Sequence, residues 1–133
     1  MGINLIFLSL TFVAGCIGGL VNSLAVWSMG KVGITKAMGV SMAPDWSPAW
    51  LYPRLVWGGL WGFLFLIPNL PESILLRGLL VSLGPTFVVL AIVFPIQAKK
   101  GFLGLQLGAM TPIFAFFVNA VWGICAAWWL TLL

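Results

Sequence analysis

Histidine is missing from this sequence altogether, and acidic side chains are reduced to Asp45 and Glu72. Without an imidazole, haem or zinc has no histidine ligand, and a serine nucleophile has no histidine base. Cysteine is nearly absent too. Cys16 and Cys125 both lie inside apolar runs and form no Cys-x-x-Cys motif, so metal and redox chemistry have no footing. They are expected to pack as small apolar residues. Charged residues make up 6% of the 133-residue chain, against roughly 25% in soluble domains. A water-soluble globular fold is excluded, no enzyme activity is expected, and no metal or cofactor is expected either.

What fills the space is hydrophobicity: 62% apolar residues, with eight Trp and ten Phe. A membrane helix needs about 20 mainly apolar residues to cross a core roughly 30 Å thick. Four segments meet that need, at about 3–29, 49–67, 73–97 and 102–132. Between the second and third stands Pro68-Asn69-Leu70-Pro71. It cannot continue a helix, because proline lacks the amide donor and restricts its predecessor. Lys99-Lys100-Gly101 makes the next turn. Runs such as Val88-Val89-Leu90-Ala91-Ile92-Val93-Phe94 do not alternate as barrel strands do, so the segments are predicted to be helices. The expected fold is one all-α domain over 1–133, an up-down antiparallel bundle of four transmembrane helices. Kinks are expected near Pro85 and Pro112, with 102–109 interfacial and the last span at 111–131. Val13-Ala14-Gly15-Cys16 matches a lipoprotein cleavage box. No basic residue precedes that apolar run, however, and the run continues past Cys16 to Met29, so the first segment is expected to remain a helix.

The net charge of +4 is topological and does not point to nucleic acid. Lys31, Lys36, Lys99, Lys100 and Arg54 lie at one side of the expected bundle, and only Arg77 lies near the other. Positive residues retain loops in the cytoplasm. Both termini are therefore expected on the non-cytoplasmic side of a cytoplasmic membrane. Trp46, Trp50 and Tyr52 form an aromatic anchor at the Lys-rich interface. Arg54 is expected to reach the headgroups from there, with pairing to Asp45 or to a lipid phosphate as alternatives.

Small residues recur four apart: Gly15, Gly19 and Ser23; Gly58 and Gly62; Ala115, Asn119, Gly123 and Ala127. Such ridges let helix backbones approach closely in lipid. They pack the helices of one chain together, or one of them faces another subunit. Asn22 and Asn119 are the strongest polar signals, each near mid-span. A side-chain amide in hydrocarbon needs a partner, so they either clasp the first helix to the fourth, line a polar path, or meet another subunit. Thr86 and Thr111 stand beside Pro85 and Pro112, where they could bond carbonyls that the prolines free.

Four helices in a short chain invite comparison with the small multidrug resistance transporters and the dual-topology fluoride channels. The first helix lacks the glutamate of the former, and no Gly-Gly-x-Thr-Thr-Phe-Ser run of the latter occurs. No family is assigned on these residues. The leading expectation is a non-catalytic structural or accessory subunit, surrounded by lipid and assembling with itself or a larger membrane complex. The first alternative is an oligomeric channel or facilitator for a small neutral solute, lined by Asn22 and Asn119. The second is a lipid- or pigment-interacting protein.

Overall fold

The computed structural model describes residues 4–132, and among these there is no strand. Residue Ile3, the expected start of the first segment, lies outside the described residues. Helix α1 runs Leu5–Lys31, capped by Asn4, whose side-chain oxygen accepts the Ile6 N–H at 2.7 Å. A one-turn helix α2, Ile34–Ala37, follows in the Lys-rich loop. Helix α3 spans Pro48–Gly62 and tightens into a 3-10 turn, Phe63–Leu66. Helix α4, Ile74–Val88, passes into a π-helical stretch, Val89–Gln97. A 3-10 segment, Phe102–Leu107, leads to α5, Thr111–Leu130.

Three of these helical stretches are long and apolar enough to cross a membrane: Leu5–Lys31, Ile74–Gln97 and Thr111–Leu130. The second apolar segment is the exception. Its α-helical part is 15 residues, short of the usual length of about 20.

One expectation about proline needs correcting. Pro112 does not kink a helix, because it sits in the first turn of α5, where its missing N–H would have no partner anyway. The chain before it is no helix extension: Leu103 and Gly104 take positive φ, 61° and 71°. The stretch 102–132 thus forms two elements, divided where 102–109 was expected to part from the span at 111–131. In α3, Pro48 opens the helix, with Ser47 as its cap, and Pro53 lies inside.

The helices pack in the spatial order α3–α1–α5–α4. Bare backbones make this possible. A Cβ on Gly15 would fall 2.2 Å from the Gly58 carbonyl oxygen, and one on Gly62 would fall 2.3 Å from that of Thr11. On the other side, a Cβ on Gly123 would fall 2.2 Å from the Gly78 oxygen. Each pairing is antiparallel, so the ends of α1 and α4 and the starts of α3 and α5 share one end of the bundle. The loops at that end are tied together: Ser41 donates its amide to Leu107 at 2.8 Å, and Thr35 donates its hydroxyl to Met42 at 2.9 Å. One apolar core gathers around Ala14, Phe65, Val81, Trp122 and Ala126, and a second around Val26, Val40, Phe114 and Val118. Helices α3 and α4, joined by the Pro-Asn-x-Pro turn, make no comparable interface. They touch near Trp61, Leu64 and Gly84 and diverge from there.

Candidate functional site

The gap between α3 and α4 is a half-open cavity of about 360 Å³, lined from all four long helices. Its floor is the α1–α5 seam, bearing Gly19, Asn22, Asn119 and Trp122. Trp57 and Trp61 of α3 form one wall, and Val89, Ile92 and Val93 of the π-helical stretch form the other. A π-helix, with its i→i+5 bonds, is wider than an α-helix and is frequently found at functional sites. Gln97, at the end of that stretch, also borders the cavity.

Arg54 is the charged group of this cavity. It does not reach out to the headgroups from α3. Its Nε donates to Ser23 Oγ at 2.9 Å, and its Nη2 donates to Asn22 Oδ1. The guanidinium carbon stands 4.7 Å from the centroid of the Trp50 ring, within range of a cation–π attraction. The expectation of headgroup anchoring is therefore corrected. Two polar groups on α1 lie one helix away, and bonding them removes the cost of leaving buried amide and hydroxyl groups unpaired. Among the described residues no carboxylate pairs with Arg54; Asp45 and Glu72 are both exposed.

Asn22 is buried and bonded on both faces of its amide. It accepts from Arg54 and donates to the Val118 carbonyl at 2.5 Å. Ser23 passes its own proton to the Gly19 carbonyl at 2.7 Å, leaving its oxygen to receive Arg54. A polar chain thus runs α3–α1–α5 across the bundle. The clasp between first and last helices uses the backbone next to Asn119, not its amide. Asn119 itself is half-buried and borders the cavity. A second clasp was not foreseen from the sequence: Trp122 Nε1 donates to the Gly15 carbonyl at 3.0 Å. Trp122 stands one turn beyond Asn119, which is the signal that could have revealed it.

The other candidates scatter. Trp27, Trp46 and Trp50 form a row of edge-on and tilted rings, with Trp27–Trp46 at 5.6 Å and Trp46–Trp50 at 5.8 Å, and Trp50 lies beneath Arg54. Tyr52 points outward, 62% exposed. Thr86 donates to the Ser82 carbonyl at 2.8 Å. Thr111 is fully buried, and its hydroxyl has no hydrogen-bond partner. Gly15, Gly19, Gly58 and Gly62 form the α1–α3 seam, and Gly123 seats α5 on α4. Ala115 is buried. Sequence inspection missed Ser23 as an Arg54 partner, and missed Trp57, Trp61 and Gln97 as cavity walls. They look like ordinary lipid-facing or interfacial residues until α3 and α4 are seen to part. No family model matches this chain, and neither the curated proteins nor the solved structures contain a significant match to it.

Proposed function

We propose that this is an integral protein of a cytoplasmic membrane, with four spans and both termini on the non-cytoplasmic side, which admits a small polar solute into an intramembrane cavity. The cavity carries this proposal: Arg54 and Asn22 line it, backed by the buried Ser23 hydroxyl, so the polar chain is not sealed within apolar packing. Ionisable side chains within membrane segments face cavities or pathways by default. The fourth span in this reading is α3 with its 3-10 extension, Pro48–Leu66. Fifteen α-helical and four 3-10 residues reach about 30 Å, one hydrocarbon thickness.

The leading expectation from the sequence, a non-catalytic accessory subunit, rests on small-residue ridges free to meet another subunit. Gly15, Gly58, Gly62 and Gly123 are engaged against helices of the same chain, so they offer no bare face to another subunit. The facilitator reading is favoured for that reason, with lipid as the surrounding partner. The test is solute entry into liposomes holding the purified protein, with Ile92→Trp as a variant that fills the cavity from its π-helical wall. Wild-type protein accelerates entry of a small polar solute and the variant does not. Equal permeability with and without protein, across uncharged and anionic solutes, rejects the facilitator.

A further inference from the structure

The charge balance of the cavity identifies the kind of molecule it takes. A guanidinium carries five N–H donors. One goes to Ser23 and one to Asn22, leaving three, both of those on Nη1 among them. A cation removed from water is costly unless an opposite charge meets it, and no carboxylate of the described residues does so. Asn22 cannot supply that charge: its oxygen is neutral and its nitrogen is committed to Val118. Free donors in a planar fork suit two oxygens of one anion. Around them the walls are apolar and aromatic, with Trp57, Trp61 and Ile92 facing the same space. The volume of about 360 Å³ equals about a dozen water volumes, enough for a one-ring carboxylate or a lipid headgroup. Lys31, Lys99 and Lys100 stand at the Arg54 end of the bundle, where they raise the local concentration of anions.

We infer that the cavity binds an oxyanion carried on an apolar body, with Arg54 as its counter-charge and Asn22 and Ser23 as the residues that aim the guanidinium. This rests on the reading of the cavity as a solute site. It narrows the occupant from polar to anionic. The oxyanion has two sources, a soluble carboxylate or the phosphate of an anionic lipid entering between α3 and α4.

The full chain is placed in phosphatidylcholine nanodiscs and titrated with benzoate and with its neutral counterpart benzamide, following the fluorescence of the cavity tryptophans and the heat of binding. A second arm adds phosphatidylglycerol to the nanodiscs and counts retained lipid by native mass spectrometry. Saturable benzoate binding, with benzamide weaker by about tenfold or more, supports a soluble oxyanion. Phosphatidylglycerol retained with the protein and displacing benzoate, or retained where benzoate does not bind, supports the lipid source. Arg54→Gln abolishes either signal. If that variant misfolds, Arg54→Lys serves instead: it keeps the charge, loses the planar fork, and weakens binding by about tenfold. Benzamide binding as tightly as benzoate, or neither anion binding, overturns the inference. If neutral solutes still enter liposomes in that case, the cavity reading stands and only the anion falls.

Discussion

A cation inside an apolar bundle is costly to hold, and the residues that meet some of its donors become costly to remove. Asn22 holds two such duties, accepting from Arg54 and donating to the Val118 carbonyl. Asn22→Leu strands a charged donor and strips the Val118 carbonyl of its second bond, a loss of about 2–3 kcal/mol. Asn119→Leu, at a half-buried position bordering the cavity, is expected to cost less than about 0.5 kcal/mol while altering solute entry. Unfolding in detergent separates the two. A double-mutant cycle pairing Asn22→Leu with Arg54→Met should fall short of additivity by about 1 kcal/mol, because the second substitution removes the group stranded by the first. A cycle pairing Asn22 with Asn119 should be additive. The opposite pattern would place the clasp between the two amides.

Helix pairs here are held by glycines whose neighbours are backbone atoms, which cannot yield. Gly123→Ala puts a methyl 2.2 Å from the Gly78 oxygen, and Gly62→Ala puts one 2.3 Å from that of Thr11. Each forces its helices apart, at a cost of about 1–3 kcal/mol or more. At Gly84 the nearest neighbour is the Leu64 side-chain tip, 2.8 Å away, and that methyl can rotate aside. Thermal unfolding should therefore rank Gly123→Ala and Gly62→Ala as severe and Gly84→Ala as mild. Three comparable midpoints would mean the seams are looser than described. The π-helical stretch matters at this scale as well, since its wider turn shapes the wall formed by Val89, Ile92 and Val93.

Across the whole molecule, the antiparallel packing puts Lys31, Lys36, Lys99 and Lys100 at one end, the end that the proposed orientation sets in the cytoplasm. The number of crossings then turns on α3. If it spans, Asn69 lies opposite the lysines. In the structure the end of α3 lies beside the start of α1, and Leu70 packs with Trp129 and Leu130 on one core, which sets Asn69 at that far end. In intact cells an impermeant thiol reagent should label Asn69→Cys and spare Lys36→Cys. Shielding of both positions would reject the exposure of the α3–α4 turn on the far side, and labelling of Lys36→Cys alone would invert the orientation.

Composition alone determined that the chain is helical and apolar, because a chain with so few charges and non-alternating apolar runs has no other way to satisfy its backbone in hydrocarbon. Local patterns marked the helix ends within a few residues: Pro-Asn-x-Pro stops one helix, and Lys99-Lys100-Gly101 stops another. They also marked Asn22 as a residue needing a partner. Which partner it has was not legible. Arg54 follows Asn22 by 32 positions, and only the Gly15–Gly58 and Gly19–Arg54 approaches bring α3 close enough for the guanidinium to turn inward. The cavity was still less legible, since it exists because α3 and α4, neighbours in the chain, part company in space. A gap between helices leaves no trace in the periodicity of either one. It is decided by which seams close tightly, and here the α1–α3, α1–α5 and α4–α5 seams close while the α3–α4 seam stays open.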